Sequence, residues 1–289
     1  MSIDASTAGT PFDARPICTR ADMEKIAKLV YASSGIALNP DTKQTMVMMR
    51  LQKRLREGGF ATVGEYLRFM EGDRSGRELR SLLDALTTNH TSFYREPKHF
   101  QVLGQDVLAR LADRSPSLPI SGWCAACATG EEAYSIATTL MERLTGTLQR
   151  RTRLLASDLS SAALEIARAG VYPAERVDQV PLPALRRFFE RGVGEQEGLV
   201  RVKREVRQQI EFRRLNLIEA EWLPERFDFI FCRNVMIYFD RAARQGVVSR
   251  LEQHLVPGGY LFVSQSESLS EVTHSLTWYL PGVYQRSPQ

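Results

Sequence analysis

The sequence predicts an α/β protein: a doubly wound, Rossmann-like sheet preceded by a small all-α domain and carrying a small antiparallel β insert. Three observations predict it. From about residue 118, short apolar runs alternate with helical patterns, the order that builds a parallel sheet covered by helices. Residues 20–87 carry helical periodicity alone. Trp123–Ser135, W-C-A-A-C-A-T-G-E-E-A-Y-S, runs from an apolar strand through a small-residue turn into a helix. A βα turn of that kind is where such sheets hold nucleotide-like cofactors.

Residues 1–19 are expected to be a flexible N-terminal segment. The helical domain follows over 20–87. Met23, Ile26, Leu29 and Val30 recur at helical spacing, and Gly35 with Asn39-Pro40-Asp41 breaks that helix. T-K-Q-T-M-V-M-M-R-L-Q-K-R-L-R-E comes next and stops at Gly58-Gly59; V-G-E-Y-L-R-F-M and R-E-L-R-S-L-L-D-A-L complete the domain. Met46, Met48 and Met49 are read as core packing.

Residues 88–289 form the second domain. Its strands are predicted at Ile120–Ala125, Arg153–Ser157, Ile210–Leu215, Phe229–Cys232 and Tyr260–Ser264, with helices at Glu131–Arg143, Ala162–Ala169 and Arg241–His254. T-W-Y-L-P-G-V-Y-Q-R is expected to close the sheet as a hairpin turning at Pro281-Gly282. Residues 191–212 break the alternation. Gly192, Gly194 and Gly198 precede Leu199, Val200, Val202 and Val206 set among charged residues, which predicts the antiparallel insert.

A chain of 289 residues with 43% hydrophobic content can bury a sizeable core. No apolar run reaches membrane-spanning length, and the N-terminus lacks a signal-peptide pattern, so the expected compartment is the cytoplasm, without membrane insertion. A net charge of +4 is too mild to point to nucleic acid by itself. Of the four cysteines, Cys124 and Cys127 form W-C-x-x-C before a helix, a redox-like spacing. The neighbouring acids Glu131 and Glu132 would raise a thiol pKa rather than lower it, which favours small buried hydrophobes.

The first turn has Gly130 but not G-x-G-x-x-G, which argues against a diphosphate and for a nucleoside-like cofactor. Asp158, ending the second strand in L-L-A-S-D-L-S, is placed to accept bonds from ribose hydroxyls; the alternative is a helix N-cap, which Ser160 serves equally well. Glu131 and Glu132 favour a helix N-terminus electrostatically, and a cofactor carrying ammonium or sulfonium charge gives one of them a second purpose.

T-T-N-H-T-S-F-Y-R-E (87–96), A-x-T-G-E-E-x-Y-S-I-A, A-S-D-L, R-G-x-G-x-x-E-G-L-V-R-V and I-F-C-R-N-V-M-I-Y-F-D occur in that order. Together they resemble the chemotaxis receptor glutamate methyltransferases, the CheR family, over nearly the whole chain from about residue 20. The resemblance implies a class I methyltransferase sheet, S-adenosylmethionine as methyl donor with S-adenosylhomocysteine as product, and receptor glutamates as acceptors. It implies roles by position. Asn89, Thr91 and Arg95 contact the methionine part, Glu132 holds its ammonium and Asp158 the ribose. Asn216 and Leu217 flank the adenine, Arg233 and Asn234 line the floor, and Arg95 and Tyr238 lie nearest the transferring methyl. Departures from the family pattern are Cys124 for Ser, Ala133 for Pro and Tyr94 for a second Phe; they bear on the rigidity of the turns.

Taken without the family, Arg95 reads as an ion pair with Glu96 or another acid, and Tyr238 as a core tyrosine with a wet tip. Arg50, Lys53, Arg54 and Arg56 cluster on one helix and are expected to dock the acidic cytoplasmic helices of a receptor, although such a face is more often merely solvated. The glycine-rich insert is expected to tether a receptor C-terminal peptide through Gly192, Gly194 and Gly198 or, alternatively, to act as a flap over the cofactor. The chain is expected to be a monomer without metal. Two other functions fit a cofactor-binding sheet: a nucleic-acid methyltransferase and a non-catalytic receptor adaptor. The first lacks an aromatic–Pro–Pro–aromatic stretch after the fourth strand, and the second leaves Arg95 and Tyr238 without purpose.

Overall fold

The computed structural model describes residues 17–114, 118–219 and 223–288. They form two compact units. Leu38–Leu86 with the described residues up to Ala32 form the first; Ser33–Ala37 with the described residues from Thr87 form the second. Of the N-terminal segment expected to be flexible, residues 1–16 lie outside the described residues, and Ile17 bridges Thr62.

The first unit is all α, with α1 (Arg20–Ser34), α2 (Pro40–Glu57), α3 (Val63–Gly72) and α4 (Arg77–Leu86). Its helix starts are encoded locally. The Asn39 side chain accepts from Asp41 N ahead of Pro40, and Thr62 with Glu65 forms a reciprocal capping box. In α2 the buried stripe is Val47, Leu51 and Leu55, four residues apart. That stripe displaces the methionines expected in the core: Met46 and Met48 are half-buried and Met49 is 66% exposed.

The second unit opens with α5 (Pro97–Val102), a π turn (Leu103–Val107) and α6 (Leu108–Ala112). Then come β1 (Ser121–Ala125), α7 (Glu131–Arg143), α8 (Gly146–Arg151), β2 (Arg153–Asp158), α9 (Ser161–Ala169), β3 (Val171–Pro173), α10 (Leu182–Phe188), β4 (Phe189–Arg191), β5 (Leu199–Val202) and α11 (Arg204–Arg207). It ends with β6 (Ile210–Arg214), β7 (Phe227–Cys232), α12 (Arg241–His254), β8 (Leu255–Phe262), β9 (Thr277–Leu280) and β10 (Val283–Gln285).

Seven strands make one sheet in the order β6-β2-β1-β7-β8-β10-β9, parallel except where β10 inserts antiparallel to both neighbours. This is the doubly wound sheet expected from the alternation. Alternate residues divide between its faces: Cys124, Phe229 and Phe231 join one core layer, while Trp123, Ala125, Ile230 and Cys232 join the other. The strand order reverses between β1 and β7, so the carboxyl ends of β2, β1 and β7 open onto one crevice. No helix among the described residues is long and apolar enough to cross a membrane.

The small antiparallel sheet, in the order β3-β5-β4, is present; its central strand β5 lies within 191–212, while β3 and nearly all of β4 lie upstream. β3 and β4 have three residues each, too short to show alternation in a sequence. Val206 belongs to the short helix α11, and Ile210–Phe212 to the main sheet, where they pair with Leu154–Ala156 of β2.

Candidate active site

Three loops meet at the carboxyl end of the sheet, and their backbone is strained. All five non-glycine residues with positive φ among the described residues lie there: Tyr94 and Glu96 before α5, Ala126 and Ala128 after β1, and Asn234 after β7. Left-handed backbone is disfavoured for alanine and tyrosine and persists where the surroundings enforce it. Gly130 completes the turn after β1 at φ 100°, where an added Cβ would stand 2.8 Å from the Ala167 Cβ.

Asp158 holds two of the turns together. Its Oδ2 accepts from Ala128 N at 2.8 Å and its Oδ1 from Ser160 N at 2.8 Å. The Ser160 side chain caps α9 by accepting from Ala163 N, so the capping role is filled without the carboxylate. Asn89 Nδ2 donates to Ser160 Oγ at 3.4 Å, which brings the 87–96 loop to the same strand end.

Under the loops lies a buried charge network. Arg233 has no exposed side-chain surface; it donates to Glu132 Oε2 at 2.7 Å and to the Arg95 carbonyl at 2.6 Å, and forms an ion pair with Glu96 Oε2 at 3.0 Å. Glu132 Oε1 also accepts from the Cys124 thiol at 3.4 Å. Burial pushes the Glu132 carboxyl above the usual range against the pull of Arg233. Burial also opposes ionisation of Glu96, yet the bonds from Ser264 and Arg233 outweigh it and hold that carboxyl low. His99 sits 3.3 Å from Glu96; burial and the Arg233 charge lower its pKa toward the neutral ring. Glu267, also buried, accepts from the backbone of Asn234, Met236, Ile237 and Ser264, and so fixes the loop that carries Tyr238.

Glu131 is tied to Thr129 Oγ1 at 2.6 Å and to Arg176 at 3.2 Å; burial raises its pKa. Arg176 also donates to the Thr91 carbonyl at 3.1 Å. The small sheet reaches the same turn: Tyr172 OH donates to the Thr129 carbonyl at 2.7 Å, and Phe93 packs edge-on against Tyr172 and Phe189. Glu96, Glu131, Glu132, Asp158 and Glu267 outnumber Arg95, Arg176 and Arg233, so the crevice favours a cationic ligand.

The structure therefore brings together Asn89, Thr91, Arg95, Glu132, Asp158, Arg233 and Asn234. Arg95 is half-buried, and among the described residues its guanidinium has no hydrogen bond or ion pair; the pairing with Glu96 does not form because Arg233, Ser264 and His99 occupy that carboxylate. Tyr238 is half-buried with no bonded partner for its hydroxyl among the described residues, and its carbonyl accepts from Ala37 N at 2.9 Å. Asn216 is committed to the Ser33 carbonyl at 2.7 Å and the Leu217 side chain to the core, so what these two present to a ligand is chiefly the shape of their loop. Arg233 supports the floor from beneath rather than lining it, having no exposed surface.

The basic helix of the first unit divides. Arg54 forms a two-bond ion pair with Glu78, and Arg50 donates to the Leu86 carbonyl at 2.6 Å; both partners lie in α4. Lys53 and Arg56 are exposed. Cys124, Cys127 and Cys232 are buried free thiols whose pKa burial raises, which removes the redox reading of W-C-x-x-C. The Tyr94 departure is absorbed locally, where its hydroxyl meets Thr138 Oγ1 at 2.7 Å. Sequence reasoning missed Arg176, His99, Ser264 and Glu267, whose partners are mostly distant in the chain. The capping turns and strand ends carry a local signal; these do not.

Residues 89–279 match the family model described as CheR methyltransferase, SAM binding domain, and residues 21–87 match CheR methyltransferase, all-alpha domain. The chain is 42% identical over 257 residues to chemotaxis protein methyltransferase 2 of Pseudomonas aeruginosa, covering 89% of each. It is 40% identical over 258 residues to the chemotaxis protein methyltransferase of Escherichia coli, covering 89% of this chain and 87% of that one. Against the Borreliella burgdorferi chemotaxis protein methyltransferase the identity is 32% over 274 residues, 93% and 95% of the two chains.

Proposed function

Because the chain belongs to the CheR methyltransferase family, we propose that its crevice passes the methyl group of S-adenosylmethionine to glutamate side chains of chemotaxis receptors, forming glutamyl methyl esters. The chain is an S-adenosylmethionine-dependent methyltransferase. The observation that carries the reading is the crevice itself: an excess of buried carboxylate beneath an arginine that has no partner among the described residues, without a diphosphate-binding glycine turn. That donor set suits a nucleoside joined to a zwitterionic amino acid and a sulfonium. Bound there, the cofactor supplies an electrophilic methyl group.

The chain's residues then orient and desolvate. Asp158 accepts from ribose hydroxyls while holding both turns. Glu132, stiffened by Arg233, faces the ammonium. Asn89 and Thr91 would fix the methionine part, the Asn216-Leu217 loop would flank the adenine, and Asn234 would line the floor. Arg95 and Tyr238 stand nearest the reacting carbon. The acceptor glutamate is ionised at neutral pH, with an ordinary pKa of about 4.3, and needs no strong base. Placement and exclusion of water are what remain for the site to provide. A transfer assay with labelled cofactor on receptor fragments, DNA and RNA tests the reading: base-labile label on receptor glutamates supports it, and label on nucleic acid alone refutes it.

Asp158→Asn is expected to weaken S-adenosylhomocysteine binding about tenfold, the loss of one charge-assisted hydrogen bond, and also to lower the melting temperature, because the amide nitrogen cannot accept from both Ala128 N and Ser160 N. Calorimetry returning wild-type affinity removes Asp158 from the ribose.

Receptor docking falls to Lys53 and Arg56, the exposed members of the Arg50, Lys53, Arg54 and Arg56 cluster, supported by Arg50 and Arg54 from within. Lys53→Glu with Arg56→Glu is expected to raise the KM for receptor about three- to tenfold at low salt, and the difference should shrink as salt screens it. An equal effect at high salt would deny an electrostatic role.

The open edge of β4 takes a receptor C-terminal peptide as an added strand, raising local enzyme concentration at the substrate helices. Gly192, Gly194 and Gly198 shape the loop beside it; Gly194 and Gly198 have positive φ, and a Cβ at Gly192 would stand 1.9 Å from the Gln196 carbonyl. Gly192→Ala is thus expected to abolish tail-peptide binding while methylation of a tail-less fragment survives. Undiminished peptide binding would return the insert to a flap.

A further inference from the structure

A groove of about 380 Å³ lies outside the crevice, lined by Arg168, Arg204, Arg207, Gln208, Ile210 and Phe212. It sits where the C-terminal end of α9 meets α11 and the edge strand β6. Because α9 is nine residues long, the groove lies about 12–14 Å from the Asp158 end of that helix. It also involves neither β4 nor the glycine loop.

Three guanidiniums converge there without compensation. None of the three forms an ion pair among the described residues, and the neighbouring Glu211 is taken by Arg213 at 2.6 Å. Arg207 Nε is buried with no hydrogen-bond partner among the described residues. Arg168 is pinned across the groove by donating to the Phe212 carbonyl at 2.9 Å. Gathering like charges without a counter-charge is unfavourable, and a polyanionic ligand that relieves it explains why they persist. Assigning Arg168 and Arg207 to the negative end of α9 leaves Arg204 unexplained.

We propose that this groove binds a nucleotide-sized small molecule bearing two or more phosphate charges. Each guanidinium presents a planar fork that matches phosphate oxygens in pairs, and one carboxylate is too small a partner for three of them. The volume lies in the small-molecule range of about 300–1,000 Å³. Phe212 and Ile210 form an apolar wall, and Phe212 is held edge-on by Tyr134 at 5.9 Å, a surface suited to a planar base. The inference goes beyond the methyl-transfer reading and does not depend on it.

Calorimetry on the full chain, with the crevice saturated by S-adenosylhomocysteine, tests it using ATP, GTP, pyrophosphate and citrate. The expected result is binding of ATP or GTP, tighter than pyrophosphate and much tighter than citrate. Arg204→Glu should weaken it at least about tenfold, with Arg168→Glu as a second variant, while S-adenosylhomocysteine affinity stays within about twofold. Absence of binding at millimolar nucleotide, or unchanged binding by Arg204→Glu, overturns the proposal. Pyrophosphate as tight as ATP overturns the nucleotide assignment, and citrate as tight overturns the phosphate.

Discussion

Arg233→Met is expected to destabilise the fold by about 3–5 kcal/mol, the loss seen when one partner of a buried ion pair is removed. The reason is the number of groups it serves. Without the guanidinium, Glu132 and Glu96 face each other's charge in a buried site, and the Arg95 carbonyl loses its donor. Methionine fills most of the volume, so the effect isolates charge rather than a cavity. Urea unfolding should show the midpoint falling with an unchanged slope. The deficit should also depend on pH with a definite sign. Removing Arg233 raises the folded-state pKa of both carboxyls, moving Glu132 further above its unfolded value and Glu96 upward from its lowered one. A raised carboxyl destabilises the fold where it must ionise, so the deficit is full near pH 7 and shrinks as the pH falls toward about 5. A shift under about 1 kcal/mol, or one independent of pH, would mean that the acids have other partners. Arg233→Lys should lie between, since an ammonium keeps the charge but loses the fork.

The importance of Arg233 marks where sequence reading ends. Its place after the fourth strand was legible, as were the sheet, Gly130 and Asp158, because strand runs, turn residues and strand ends are local signals. Its burial was not. Glu96 and Ser264, which bond at 2.6 Å, are 168 residues apart, and no spacing rule joins them. The basic helix shows the same limit in another form. Periodicity correctly says that Arg50 and Arg54 share a face, yet it does not say that this face meets Glu78 and the end of α4. The upstream strands of the small sheet were invisible for a third reason: three residues are too few to alternate. Local chemistry thus identified the frame of the crevice, and long-range pairing decided which charges are spent holding it and which are left over.

Arg95 is among those left over, which makes its replacement the cleaner kinetic test. Its guanidinium has no bonded partner among the described residues, so Arg95→Ala should leave the melting temperature within a few degrees. Its backbone is another matter: the residue stands between left-handed Tyr94 and Glu96, with its carbonyl held by Arg233. A side chain anchored so firmly at its root and unspent at its tip is preorganised for a ligand. Arg95→Ala is therefore expected to lower kcat/KM about a hundredfold, comparable to misplacing a reacting group by about an ångström. The split between parameters then assigns the partner. If Arg95 grips the cofactor's carboxylate, S-adenosylhomocysteine affinity falls with it; if it steers the acceptor glutamate, cofactor affinity holds and the loss appears against receptor. Arg95→Lys should recover part of the loss in either case, because a point charge survives without the planar fork. Tyr238→Phe, which removes only a hydroxyl, should lower the rate about tenfold or less. Turnover by Arg95→Ala within about threefold of wild type would remove the residue from the reacting centre and leave the strained loop to be explained by packing alone.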